Sequence, residues 1–266
     1  MQQVLVIAGM HRSGTSLTAM WLKGCGLFIG EKLMLGGFDN PLGHYEDLEI
    51  LKIHEGDLKI KGLATNGLRL NNYHKFEFEE NTMSQINTFL KSRIKYNLWG
   101  WKEPRSTLYL QAWKKITPGL RVLGVYRNCN DVIDSLVRRA HYSLFKSDKF
   151  KGFSKLAHKI AYPIYIRWEI ANYIDAWIKY NNAILSFKEH YPNDIHIIAI
   201  ESLISNSKQV FEKISEKWKL DLSYSSISEF YRSSLLNKTA AKCKIPQHYH
   251  ASIKYINDRL ENYNNQ

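Results

Sequence analysis

Short apolar runs recur along the chain, and stretches with helical spacing separate them. Val4-Leu5-Val6-Ile7-Ala8 is the first run; others fall around 97–101, at Val122-Leu123-Gly124-Val125-Tyr126, and at Ile195-His196-Ile197-Ile198-Ala199-Ile200. Uninterrupted apolar runs of this length, rich in β-branched residues, are the pattern of strands buried on both faces. Between them, Leu17, Met20 and Trp21 share one helical face. Met83, Ile86, Phe89, Leu90 and Ile94 share a second, Val132, Ile133, Leu136 and Val137 a third, and Val210, Phe211, Ile214 and Trp218 a fourth. Strands alternating with amphipathic helices predict an α/β fold, a parallel sheet flanked by helices. No repeat, low-complexity tract or linker divides residues 1–266, which predicts a single domain. The aromatic stretch 141–190, with Tyr162, Tyr165, Trp168, Tyr173, Trp177 and Tyr180, predicts one long helix after a basic loop. It reads as a helical cap within that domain.

Two strand-to-helix junctions carry candidate chemistry. After the first strand comes Gly9-Met10-His11-Arg12-Ser13-Gly14-Thr15-Ser16. The Gly-x-x-x-x-Gly spacing predicts a P-loop NTPase-like turn, whose main-chain N–H groups and helix dipole face an anion. Thr15 stands where a nucleotide-triphosphate loop carries Lys, and Arg12 supplies a positive charge instead. The second junction runs from Tyr126 into Arg127-Asn128-Cys129-Asn130-Asp131. Asn128 or Asn130 can cap the helix there. Ser135 and Arg139 lie one turn apart on that helix, and Arg127 sits at the strand end. Both junctions fall at the strand C-termini, where open α/β sheets bind ligands.

Composition narrows the field. Hydrophobic residues at 44% and charged residues at 23% exclude a disordered chain. The three cysteines, Cys25, Cys129 and Cys243, are widely spaced and form no C-x-x-C pair, which argues against a disulfide scaffold or zinc site. The opening apolar run is too short to span a bilayer and follows no basic leader, so a cytoplasmic location is expected. Net charge is +12, and residues 101–160, with 13 basic and 4 acidic side chains, supply +9 of it. That concentration points to an anionic ligand.

Taken together, these motifs resemble the sulfotransferase family that uses 3′-phosphoadenosine 5′-phosphosulfate (PAPS). His11, Arg12, Ser13, Gly14, Thr15 and Ser16 look like the family's 5′-phosphosulfate loop. Arg127, Ser135 and Arg139 match its 3′-phosphate motif, including the Arg–Ser–Arg pattern of the tyrosylprotein branch. Trp101-Lys102-Glu103-Pro104-Arg105 resembles a strand end at which the Lys faces the transferring sulfuryl group. Asn40-Pro41-Leu42-Gly43-His44-Tyr45-Glu46-Asp47 looks like the segment bearing the catalytic acid. Ile200-Glu201-Ser202-Leu203 and Trp177-x-x-Tyr180-Asn181 match further features, the latter of carbohydrate-directed bacterial members. The cytosolic branch uses a loop Lys and a His base, whereas this loop has Arg12. The adenosine-closing loop corresponds to a region that includes Ser234 and Lys238.

The resemblance implies in-line sulfuryl transfer to a hydroxyl, with no metal required. Glu46 would be the general base, and Arg12 and Lys102 would offset developing negative charge. His44 and His54 stand as alternative bases. The expected acceptor is a glycan or glycolipid, with contact to an anionic membrane surface suggested by Lys146, Lys149, Lys151, Lys155 and Lys159. No nucleic-acid partner is expected, since no zinc-finger, RRM or basic-zipper pattern occurs. A P-loop kinase and a basic nucleic-acid-binding protein are the competing readings. His248 and His250, two residues apart with no third ligand, read as surface residues.

Overall fold

A computed structural model describes residues 2–37, 43–71, 73–145, 152–231 and 243–265, with the backbone alone at 145 and 152–160. Four parallel strands, β1 (Gln3–Ala8), β2 (Leu98–Lys102), β3 (Leu120–Tyr126) and β4 (Ile195–Ala199), form one sheet in the order β2-β1-β3-β4. The expected strands are therefore present, within one or two residues of their predicted ends.

Side-chain alternation within each apolar run divides the core in two. Leu5, Ile7, Leu123, Val125 and Ile198 face α1 (Thr15–Gly24) and α8 (Ser207–Trp218). Val4, Val6, Ala8, Val122, Ile195 and Ile197 face the opposite layer. That layer holds α2 (Leu48–Ile60), α3 (Glu80–Arg93), α4 (Leu110–Ile116), α5 (Cys129–Phe145), α6 (Gly152–His190) and α9 (His250–Asn264). The short α7 (Ile200–Ser205) follows β4 directly.

This strand order has a functional consequence. The chain leaves β1 towards β2 on one side and leaves β3 towards β4 on the other. A crevice opens between the C-terminal ends of β1 and β3, the usual ligand position in such sheets. Register pairs Ala8 with Gly124 and Ile7 with Lys102, so the glycine loop, Lys102 and Arg127 all emerge at that edge.

The aromatic helix differs from the expected cap. From Tyr173 onward, Ile174, Trp177, Tyr180, Ile184 and Phe187 are buried in the core. Their three- and four-residue spacing makes a stripe that covers the sheet. Upstream, Ile164 and Trp168 remain exposed. The second half of this helix thus serves as core, while Ile164 and Trp168 face solvent.

Asp57, on α2, fastens this layer. Its carboxylate accepts hydrogen bonds from Lys61 Nζ (2.7 Å), Glu79 N (2.9 Å), Thr82 Oγ1 (2.9 Å) and Tyr109 Oη (2.7 Å). Burial alone would raise its pKa, but these donors outweigh burial and lower it. A depressed folded-state pKa contributes stability that is complete above the unfolded value, about 3.9, and is lost as pH falls through the folded value. Asp57→Asn should therefore cost about 3 kcal/mol at pH 7, because it strands buried donors. Urea denaturation at pH 7 and pH 3 tests both points: the gap between wild type and variant should narrow at the lower pH.

Candidate active site

Two glycines shape the first loop. A Cβ on Gly9 would lie 2.4 Å from the carbonyl oxygen of Val125, so only glycine lets the turn lie against β3. Gly14 has φ 92°, and a Cβ there would meet Ile200 at 2.4 Å. Thr107 ties the loop from beneath: its Oγ1 accepts from Gly9 N at 2.8 Å. Arg12 has a left-handed backbone with φ 70°. Gly14 is the N-cap of α1 and has no side chain to cap with. The N–H groups of Thr15, Ser16 and Leu17 therefore have no acceptor within the helix, and they face outward with the positive end of the dipole. Ser13 and Thr15 are buried, and Ser16 Oγ donates to the His44 carbonyl at 3.2 Å.

The second junction meets the first. Arg12 Nε donates to Ser135 Oγ at 2.8 Å, so two motifs 123 residues apart form one surface. Asn128 caps α5, its Oδ1 accepting from Asn130 N at 2.9 Å. Arg127 is anchored through its carbonyl, which accepts from Trp177 Nε1 at 3.1 Å. Its Nε lies 3.7 Å from both Asp131 and Glu201, too far for a hydrogen bond, and has no hydrogen-bond partner among the described residues. A buried guanidinium nitrogen left in that state suits an incoming anion. Arg139, one turn beyond Ser135, lines the neighbouring cavity. Lys238 and Ser234 lie outside the described residues, as do Asn40, Pro41 and Leu42.

Glu46 and Lys102 are brought together from 56 residues apart. Lys102 Nζ donates to Glu46 Oε1 at 2.8 Å, with both side chains buried. Burial lowers the Lys102 pKa, and the negative charges of Glu46 and Glu103 pull against that shift. Glu46 is fixed from behind by α2. Asp47 caps that helix by accepting from Glu49 N at 2.8 Å, and Asp47 in turn accepts from the buried Arg93 at 3.0 Å.

A buried relay stands beside this pair. Trp113 Nε1 donates to His54 Nε2 at 3.1 Å, and His54 Nδ1 lies 2.7 Å from Glu103 Oε2. Arg105 Nε donates to Glu103 Oε1 at 2.7 Å, and Arg105 Nη1 donates to the Thr65 carbonyl at 2.6 Å and to Glu55 at 3.3 Å. Arg105 Nη2 reaches within 4.0 Å of Glu46 Oε2. Burial would raise the Glu103 pKa, but Arg105 and His54 override it and hold it at about 2. His54 is fully enclosed, with Trp113 donating to its Nε2 and Glu103 2.7 Å from its Nδ1, and it does not line the cavity onto which Glu46 opens. The sequence signal for this residue was present. On α2, His54 and Asp57 interrupt the buried stripe of Ile50, Ile53 and Leu58, and polar residues in such a stripe need partners.

The Glu46 carboxylate opens on a cavity of about 430 Å³. His11, His44, Glu55, Arg105 and Arg139 form its polar wall, and Leu51, Leu68, Leu136, Tyr165 and Tyr173 its apolar one. Burial first, then Arg105 and Arg139, hold His11 at a pKa of about 3, against the opposing pull of Glu103. The ring is neutral at physiological pH, and its Nε2 has no partner and no solvent contact.

The relay has a spectroscopic signature. Because Trp113 occupies Nε2, the His54 proton must sit on Nδ1. Nitrogen-15 spectra of histidine-labelled protein at pH 7 should show that tautomer, and its signals should vanish in His54→Leu. An Nε2–H tautomer would break the relay as described.

No family model matches this sequence, and no curated protein matches it. Solved structures do match over nearly the whole chain. The sulfotransferase domain from the curacin biosynthetic pathway is 15% identical with a TM-score of 0.56, over 98% of each chain. The sulfotransferase domain of the Synechococcus PCC 7002 olefin synthase is 13% identical with a TM-score of 0.57, over 98% of this chain and 96% of that one. A sulfotransferase from Alicyclobacillus acidocaldarius is 13% identical with a TM-score of 0.55, over 100% and 97%. The fold of this chain is the sulfotransferase fold.

Proposed function

We propose that this protein is a PAPS-dependent sulfotransferase acting on a hydroxyl of a carbohydrate or glycolipid. The observation that carries the reading is the meeting of the two anion cradles at one crevice, with the Glu46–Lys102 pair beside them. The chain's own groups fit the donor. The uncapped N-terminus of α1, with residues 11–16, would hold its 5′ end. Arg127, whose Nε lacks a partner, would hold the 3′-phosphate with Ser135 and Arg139. When bound, the donor supplies an activated sulfuryl group with the nucleotide phosphate as leaving group.

The remaining tasks fall to side chains. Glu46 accepts the proton of the acceptor hydroxyl, and Lys102 Nζ, donating to its Oε1, holds it oriented. Lys102 and Arg12 offset negative charge on the transferring group and the leaving oxygen. The cavity, with carboxylates, guanidinium groups and tyrosines on its walls, suits a ring bearing several hydroxyls. The kinase reading is weaker. Thr15 replaces the loop Lys, and Glu103, the acid at the end of β2, is already taken up by Arg105 and His54.

Calorimetric titration with adenosine 3′,5′-bisphosphate tests the donor site. Wild type should bind it, and Arg127→Ala should weaken binding about tenfold or more, as expected for losing a charged hydrogen bond. Absence of binding would remove the proposal. Glu46→Gln should keep that affinity while lowering transfer of labelled sulfate to glycan acceptors by about a hundredfold or more.

A further inference from the structure

Six of the seven tryptophans are buried, and five of these place the indole N–H on an acceptor. Trp21 donates to the Ser225 carbonyl, Trp101 to Ser106 and Trp113 to His54, while Trp177 and Trp218 donate to the Arg127 and Asn193 carbonyls, all at 2.9–3.1 Å. The exception is Trp99 on β2. It is 1% exposed, and its Nε1 has no hydrogen-bond partner among the described residues. Buried donors are rarely left in that state, and each one calls for a cause.

Trp99 stands on the wall of a cavity of about 500 Å³ at the N-terminal ends of β1 and β2, the opposite end of the sheet from the glycine loop. Val4, Leu90, Ile94, Ile116 and Pro118 give that wall its apolar lining. Thr117 stands on it as well, and its Oγ1 is a second buried polar atom with no partner among the described residues. The Thr117 backbone is already engaged: its N–H donates to the Trp113 carbonyl at 2.8 Å, and its carbonyl accepts from Leu120 N at 2.9 Å. The hydroxyl is therefore spare. The walls are tied to one another through Gln2, whose Nε2 donates to the Arg93 and Tyr96 carbonyls, both at 2.5 Å. Gly119 closes the other side, so near that a Cβ there would lie 2.5 Å from the Gln2 carbonyl oxygen.

A wall lined largely by carbon offers a water molecule few partners, and a purely apolar molecule would leave the indole N–H unpaired. A molecule that is apolar over most of its surface and carries one acceptor oxygen meets both demands, which is the usual chemistry of a small-molecule pocket. We propose that this cavity is a second ligand site, separate from the reaction cavity, and that it takes a small apolar molecule whose carbonyl oxygen accepts from Trp99 Nε1. The inference does not rest on the sulfotransferase reading.

Nitrogen-15 spectra of the full chain test it, in titrations with acetophenone and with ethylbenzene, a ring of like size without the oxygen. Acetophenone should move the Trp99 indole proton downfield in a saturable way, as a new hydrogen bond does, and ethylbenzene should not. Trp99→Phe should weaken acetophenone binding about threefold to tenfold, the worth of one neutral hydrogen bond, and change ethylbenzene binding by less than about twofold. Leu90→Trp, which fills the cavity, should abolish the response to both probes. Adenosine 3′,5′-bisphosphate at saturation should leave the acetophenone response intact. The proposal is overturned by an unmoved Trp99 proton in wild type, by equal loss of both probes in Trp99→Phe, or by a response that survives Leu90→Trp. Displacement of acetophenone by the bisphosphate would place the probe in the reaction crevice and overturn it too. The comparison of the two probes on wild type decides the matter even where a variant fails to fold.

Discussion

The site depends on mutual compensation of buried charge. Lys102, Glu103 and Arg105 lie within four consecutive residues and are almost wholly buried, with Glu46 against them. Removing any one from water unpaired would be prohibitively costly. Lys102 takes Glu46, Arg105 takes Glu103, and His54 completes Glu103 from the far side. The arrangement is weak support for stability, since a well-packed apolar cluster would serve as well. Its effect is geometric. Lys102 holds one Glu46 oxygen at 2.8 Å, so the pairing orients Glu46 towards the cavity without a bound ligand.

That constraint explains how the surrounding elements are fastened. α2 carries Glu46 just before its first turn, and the same helix provides His54 and Asp57. Its N-terminus is capped by Asp47, which Arg93 of α3 holds, and its far end is tied through Asp57 to α3 and Tyr109. A shift of α2 by one turn would disconnect Glu46, His54 and Asp57 together. The polar residues on its buried face are therefore a register device, positioning a loop residue that would otherwise sit on an unrestrained segment.

The strands and both strand-to-helix junctions were legible because each is local. Period, a glycine spacing and a helix cap can all be read within about twenty residues. The Glu46–Lys102 assignment came from motif resemblance, and the structure brings the two side chains to 2.8 Å. The relay was not legible, because His54, Glu103 and Trp113 are 49 and 10 residues apart in sequence and meet only through packing of α2 against α4 and the end of β2. Nor was the Arg12–Ser135 bond, which follows from the register of β1 with β3. The aromatic stretch misled for a related reason: Trp177 and Trp168 have the same side chain and similar neighbours in sequence. Only the sheet beneath Trp177 makes it core, while Trp168 lies past the edge of what the helix covers.

The charge excess also divides along structural lines. Within residues 101–160, Lys102 and Arg105 are paired inside the protein, and Lys114 and Arg121 share Asp194. These four have carboxylate partners within the protein, Lys114 and Arg121 sharing one between them. Arg127 and Arg139 face the crevice and the cavity, where an anion would meet them. The remaining lysines of this segment, at 146, 149, 151, 155 and 159, have side chains outside the described residues. A single basic segment therefore carries both cations that build the site and cations placed where an anionic ligand would meet them.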